Sequence, residues 1–571
     1  MKLEMVKKLL CIAVAGMMFP LAAQATEADL QLKIDKLTKE VNDLKGSVKK
    51  VEDKSLGKWL TIGGEYRFRV DSLRGETAAY TDVMGTFANA QNTMQSNFFN
   101  FAAAYNPDGT LLYAAGTPAA AMYWQGNLGS MMNFSNAMKN VKTVGQANAF
   151  LGANAQMLGG LMNFAVRIPE QTPKNETLYT NKFALDLHAK ATQDVTVNVK
   201  LDMYKTFGSQ NDNATTGNYF ADRVGVFDGT LGHVPSDGEL NVDRAYATWS
   251  NIADQPLWFS VGRRPSTNGA PSNLRLNNER PGNGGTPALL VDYAFDGMTI
   301  GYAPDIDALP GAYAKICYGR GFDSGFKTAS NSIKDTDMLG IAIIPYETDP
   351  LRVWLQWNRG FNIFDFPVMT DSTFGNTAPA TNLGNIDWYG AGAMSTLKNV
   401  GPGSLNMFAD FGMSVTHPND NVSANAGFMG LGTGSFFNPE APNDKTGWAA
   451  YIGVRYDLPS KTKIGFEFNH GSKDWITFAP AADDMWTSKV GVRGNVFEPY
   501  IIQELNLKPI SSYVSKAFFR LGYQYYDFEY TGSNNWVGAP VKISSINARD
   551  MLLMAPVKSA QDVYATFEVK F

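Results

Sequence analysis

Apolar and polar side chains alternate along many short stretches of the chain, and the last nine residues show this most clearly. From Val563 to Phe571 the odd-numbered positions are apolar, while the even-numbered positions carry polar groups. A β-strand directs successive side chains to opposite faces, so this segment has one apolar and one polar face. Its length matches the roughly 9–11 residues with which a tilted strand crosses a bilayer. The pattern predicts the closing strand of a barrel; the alternative is a paired amphipathic strand in a soluble sandwich.

The same alternation recurs along most of the chain. In the stretch that begins at Leu60, apolar residues such as Tyr66 and Phe68 alternate with Arg67 and Arg69. We count about 16–18 such segments, and single-chain bacterial barrels close with an even number of strands. A barrel of that size encloses an aqueous lumen. The predicted fold is therefore all-β: a transmembrane antiparallel β-barrel of about 16–18 strands, preceded by a short coiled-coil helix.

The predicted connections differ in length. Short turns are expected at 191–194 and 457–461, and the pair Asp296-Gly297 predicts a tight hairpin between two strands. Much longer connections separate other strands, as is typical of the outer side of such barrels. These long loops are predicted at 208–239, 265–286, 361–384, 417–445 and 529–550.

The longest connection covers residues 72–177 and has few charges. Its Ala-rich stretches at 119–121 and 147–155 allow short helices. A connection of this length without structure of its own is uncommon in a compact domain. It is therefore a plug in the lumen, a cap at the outer mouth, or a surface extension that binds a partner.

The N-terminal residues predict export. Three Lys and an apolar run precede Ala23-Gln24-Ala25, which is the order of a secretory signal peptide over residues 1–25. Removal of three Lys and one Glu changes the formal net charge from −5 to −5 − (3 − 1) = −7. A mildly acidic chain gives no support for nucleic-acid binding.

Residues 26–56 predict a periplasmic coiled coil that precedes the barrel at 57–571. Apolar residues recur with alternating spacings of four and three, which is the period of a left-handed coiled coil. Such a seam needs a partner helix, so residues 30–51 predict a homo-oligomer, and we favour a trimer; a helix lying on its own barrel is the alternative. The seam consists of Leu30, Ile34, Leu37, Val41, Leu44, Val48 and Val51.

Residue types with catalytic or metal-binding chemistry are sparse. Without the signal peptide the chain has one cysteine, Cys317, and its four His residues lack the spacing of metal ligands. No Ser lies in a motif that would mark a lipid hydrolase. We therefore expect no enzyme activity, no cofactor and no metal.

The arginines are the best candidates for functional residues. Arg263 and Arg264 end a strand, and Arg67 and Arg69 fall on a polar face together with Glu65. Guanidinium groups in a narrow pore set its charge selectivity. These five residues are predicted to form the pore constriction, although ion pairing between adjacent strands would explain them equally well.

Several stretches resemble a family of outer-membrane porin-like proteins of anaerobic, often metal-reducing bacteria. They are 59–69, 242–246, 259–265 and 465–472. The resemblance implies a barrel channel and supplies neither a catalytic residue nor a substrate. The C-terminal end also resembles the closing strand of bacterial outer-membrane barrels, in which Phe567, Val569 and Phe571 would form the assembly signal.

The predicted function is passive diffusion of ions or small hydrophilic solutes through an outer-membrane channel. Its expected partners are outer-membrane lipid and the barrel-assembly machinery. The alternative, motivated by the resemblance, is a scaffold that docks or sheathes c-type cytochromes for extracellular electron transfer.

Overall fold

Sixteen antiparallel strands form a closed barrel, which confirms the predicted fold class. The computed structural model describes residues 36, 38–41, 59–206, 240–264, 270–278, 289–291, 294–328, 331–372, 375–479, 484–507 and 515–571. The strands are β1 (Leu60–Thr77), β2 (Lys174–Lys190), β3 (Val195–Thr206), β4 (Asn241–Trp249), β5 (Leu257–Arg264), β6 (Phe295–Tyr302), β7 (Tyr313–Phe322), β8 (Thr336–Glu347), β9 (Arg352–Phe364), β10 (Asn382–Val400), β11 (Gly403–Pro418), β12 (Thr446–Asp457), β13 (Thr462–Gly471), β14 (Gly494–Glu504), β15 (Lys516–Phe528) and β16 (Val557–Lys570).

The last strand pairs with the first and closes the barrel. In the register of β1 and β16, Phe68 lies opposite Phe567. Beyond the end of β16, Phe571 exchanges backbone hydrogen bonds with Gly64, with N···O distances of 2.8 and 3.0 Å. No strand edge is left at this junction, where an open edge would invite pairing with other chains.

The connections divide the barrel into two ends. The end that holds Phe571 carries the seven shorter connections, among them the predicted turns at 191–194 and 458–461; we call it the turn end. The opposite end, called the loop end, carries the long connections.

The pair Asp296-Gly297 does not form a turn: both residues lie inside β6, where Asp296 pairs with Arg263 of β5. The hairpin prediction was wrong because the segment before β6 is a loop and not a strand.

The connection from β1 to β2 contains four helices, α1 (Val83–Phe99), α2 (Pro118–Met138), α3 (Val144–Ala153) and α4 (Ala155–Leu161). Polar residues cap three of them. The Asp82 carboxylate accepts from the Met84 N–H at 3.0 Å, the Thr117 hydroxyl from the Ala120 N–H at 3.2 Å, and the Thr143 hydroxyl from the Gln146 N–H at 3.3 Å. The insertion itself occupies residues 78–173, slightly less than the predicted 72–177.

This helical insertion packs on other loops of the loop end. The Val144 N–H donates to the Asp420 carbonyl at 2.9 Å, and the Phe87 and Phe436 rings meet edge to face with centroids 6.4 Å apart. The strand Tyr80–Asp82 pairs with Met551–Leu552 from the loop before β16. These contacts attach the insertion to the other loops of the loop end; whether it acts as a plug, a cap or a surface extension stays a prediction.

Two predictions fall on the N-terminal part of the chain. The signal peptide at 1–25 and nearly all of the coiled coil at 26–56 lie outside the described residues; residues 36 and 38–41 are helical and exposed. The coiled coil and the oligomer therefore stay predictions. Within the described part of the chain, no helix combines the length and the apolar character needed to cross a membrane.

Candidate functional site in the barrel lumen

A piece of the loop between β5 and β6 folds into the lumen near the turn end. We call residues 270–278 the inner segment. A loop backbone that is removed from water needs hydrogen-bond partners, and cations on the barrel wall supply them here. The Lys570 ammonium donates to the Leu276 carbonyl at 2.7 Å, and the Arg455 guanidinium donates to the Leu274 carbonyl at 2.6 Å.

Side chains of the inner segment are also held by hydrogen bonds and ion pairs with charged residues around it. The Asn277 amide oxygen accepts from the Lys463 ammonium at 2.7 Å, and the amide nitrogen donates to Glu504 at 2.9 Å. The Arg275 guanidinium lies 2.6 Å from an Asp484 oxygen of the loop between β13 and β14. The inner segment is thus fixed to strands β12 to β16 on one side of the lumen.

A buried ion network closes this side of the lumen further. The Lys489 ammonium lies between two wall carboxylates: it contacts Glu467 and is 2.5 Å from Glu498. The Tyr564 hydroxyl donates to the other Glu498 oxygen at 2.7 Å. All four side chains are buried. Opposite charges that are removed from water compensate one another, so this region is a sealed polar core and not an open passage.

Arg69 belongs to this sealed region. Its guanidinium is 2.5 Å from Asp71 and 2.8 Å from Asp562, and it lies 4.4 Å from the centre of the Tyr564 ring. The neighbouring inward residue, Arg67, is also buried, with its guanidinium carbon 5.3 Å from the centre of the Tyr204 ring. The predicted polar face of β1 is confirmed, and these contacts give both arginines structural partners.

The charges next to Glu65 are more accessible. The Glu65 carboxylate is 3.2 Å from the Lys182 ammonium and 3.5 Å from that of Lys200. The side chains of Glu65 and Lys182 are 27% and 15% exposed, respectively, so water reaches this group. A solvated cluster of both signs can contact a permeating ion.

The two arginines at the end of β5 occupy opposite faces of the strand. Arg264 shares its face with the buried Ser260, whose hydroxyl accepts from the guanidinium at 2.9 Å. Arg263 shares its face with Val261, whose side chain is 44% exposed, and its guanidinium is 3.5 Å from the exposed Asp296 carboxylate. Only Arg264 therefore faces the lumen by the alternation of the strand.

The five predicted residues do not form one cluster. Glu65 contacts lysines, Arg69 contacts aspartates, and Arg264 contacts hydroxyl groups. Lys182 and Lys200 are the actual neighbours of Glu65, and each alternates with apolar residues along β2 and β3, a signal that could have found them. Residues in loops, such as Lys489 and Arg275, have no periodic signal that could have identified them.

Comparison with known proteins supplies the family. No curated protein matches the chain. Among solved structures, OprB of Pseudomonas putida is 11% identical, covers 93% of this chain and 97% of its own, and gives a TM-score of 0.40. DcaP of Acinetobacter baumannii, an outer membrane channel, is 10% identical, covers 90% of this chain and 98% of its own, and gives a TM-score of 0.33. A protein family described as "Protein of unknown function (DUF3373)" matches residues 172–571, and the chain belongs to this family.

Proposed function

We propose that this protein is an outer-membrane channel through which ions or small hydrophilic solutes diffuse. The observation that carries the proposal is the distribution of side chains across the barrel wall. On β15, Leu521 is 53% exposed on the outside, while the adjacent Arg520 is 1% exposed on the inside. An apolar exterior around a charged interior suits a barrel that is surrounded by lipid. The turn end would then face the periplasm and the loop end the exterior.

The passage in this proposal runs off-centre. The inner segment and the ion network of Lys489 occupy the side of β12 to β16, where charges are buried and paired. The partly exposed pair of Glu65 and Lys182 lies at the edge of that side, since β1 pairs with β16 and Glu65 is opposite Lys570 in the register. A narrow passage lined by fixed charges admits small hydrated ions and excludes bulky solutes.

Conductance in a planar lipid bilayer tests this function. The purified protein, shown to be folded by its mobility on a gel without heating, should give discrete current steps across a salt gradient. Steps that appear in threes would also support the predicted trimer. Folded protein that inserts and carries no current would overturn the channel proposal.

The cytochrome scaffold has less support from the structure. The inner segment and the residues around Trp475 and Lys489 occupy lumen space that a sheathed cytochrome would need. A docking surface at either end of the barrel stays a prediction. Co-purification of a c-type cytochrome with the barrel after mild solubilisation would support the scaffold function.

A further inference from the structure

A second cavity lies at the loop end, away from the lumen charges. The loop between β15 and β16 forms most of its wall, and residues from the loops after β11 and β13 complete it. Its volume is about 130 Å³. An apolar cavity of about 150 Å³ in another protein takes up benzene, so the space suits a small aromatic molecule.

Aromatic and methionine side chains line this cavity. Two rings, those of Phe436 and Trp486, come from different loops, and a third belongs to Phe528 at the end of β15. Met429, Met551 and Met554 also line the cavity. Rings pack edge to face or offset against other rings, and the thioether of Met makes favourable contacts with ring edges. Such walls favour a flat aromatic body over a flexible polar one.

Arg493 adds a positive charge to this apolar wall. The residue is only 2% exposed, yet its side chain lines the cavity. Its guanidinium donates to the carbonyls of Trp475, Thr531 and Asn535 at 3.0, 3.1 and 2.7 Å. A guanidinium has five N–H donors, so these bonds leave two of them for a further partner.

The hydrogen-bond partners of Arg493 are backbone carbonyls, and Asp474 acts on it only through a weaker electrostatic interaction. In the part of the chain that the structure describes, no carboxylate forms an ion pair with it. Burial lowers the pKa of Arg493 to about 10, against a smaller opposing effect of Asp474. A buried cation without a counter-ion is costly, and an anion in the cavity would relieve that cost.

We infer that this cavity binds an aromatic carboxylate. The ring lies between the aromatic and methionine walls, and the carboxylate accepts the free N–H donors of Arg493. The inference does not rest on the channel function, because a bound ligand requires no passage through the lumen.

Binding of 2-naphthoate to the detergent-purified full-length protein tests the inference. Equilibrium dialysis should show saturable binding of this acid. Its neutral analogue, 2-naphthalenemethanol, should bind about tenfold more weakly or worse, since it lacks the charge that Arg493 recognises. Equal affinity for the acid and the alcohol would show that Arg493 plays no part and would overturn the inference.

Two matched variants locate the binding site. Met554→Trp fills the cavity and leaves Arg493 in place, so naphthoate binding should be lost. Met122→Trp makes the same change on α2, where Met122 is largely exposed, and binding should be unchanged. If naphthoate binds the Met554→Trp variant and the unaltered protein equally well, it occupies another surface, such as the apolar exterior or the micelle. That result would also overturn the inference. Conductance of the same samples reports on the channel separately.

Discussion

At the scale of single residues, the charged side chains in the lumen divide into those that stabilise the barrel through buried ion pairs and those that contact water. Arg69 is of the first kind, because it pairs with two carboxyl groups that have no access to solvent. Glu65 is of the second kind, since its own carboxylate and the Lys182 ammonium are partly solvated, whereas Lys200 is buried. Substitutions at the two kinds of residue should therefore affect different properties.

Replacement of Arg69 should destabilise the barrel. Arg69→Gln leaves Asp71 and Asp562 buried without a cation, and breaking a buried ion pair in this way costs about 3–5 kcal/mol. The free energy of unfolding, measured with guanidinium in lipid vesicles, should fall by that amount. The control is Arg74→Gln on the same strand, where Arg74 is exposed and the change should be small. A loss no larger than in the control would contradict the structural role of Arg69.

Arg263 and Arg264 should differ in their effect on ion selectivity. Arg264→Glu replaces a lumen cation with an anion, so the reversal potential in a salt gradient should shift towards cation selectivity. Arg263→Glu makes the same chemical change on the opposite face of β5 and is the matched control. Equal shifts for the two variants would show that Arg264 is not a constriction residue.

At the scale of elements, alternation in the sequence predicts which side of the wall a residue faces and little about its partner. It placed Arg67, Arg69 and Arg520 inside, as observed. It could not show that Arg69 pairs with Asp562, because 493 positions separate them and the pairing exists only once the barrel closes. The inner segment was also missed: a predicted loop at 265–286 carries no periodic pattern that reveals whether it folds inward.

The inner segment should limit conductance. Replacement of the nine residues 270–278 by nine Gly and Ser residues removes the Asn277 amide that Lys463 and Glu504 hold and the Arg275 guanidinium that Asp484 holds. Only hydrogen bonds to backbone carbonyls remain on a chain with more conformational freedom, so the segment should leave the wall. Single-channel conductance should rise about twofold or more, since sixteen strands enclose a wide aqueous lumen. The same replacement of the nine residues 303–311, which lie in a mostly exposed connection at the turn end, is the control. Unchanged conductance in a folded variant would mean that the segment does not narrow the passage.

At the scale of the whole molecule, the apolar exterior of the barrel accounts for the outer-membrane proposal, and the charged interior accounts for the channel proposal. Both follow from the strict alternation of strands such as β15 and β16, in which outward Leu521 and Val563 accompany inward Arg520 and Tyr564. The sequence therefore predicted the architecture well. The packing of loops inside the barrel depends on distant contacts and was not accessible from it.

A charge on the outer wall should impair membrane assembly. Leu521 lies near the middle of β15, and an Arg on the lipid face at the midplane of a bilayer costs about 2–4 kcal/mol. The yield of folded Leu521→Arg in vesicles should fall accordingly. Leu309→Arg is the control, since Leu309 lies in a turn at the end of the barrel. Equal yields for both variants would argue against a lipid-facing position of Leu521.

The anchors of the inner segment also set an order of events during biogenesis. Lys570 is the next-to-last residue of the chain, yet it holds the carbonyl of Leu276, which lies 294 positions earlier. This anchor therefore cannot form until the final strand has been synthesised, although the anchors on β12 to β14 precede it in the chain. The last strand thus closes the cylinder and completes the attachment of the inner segment in the same step.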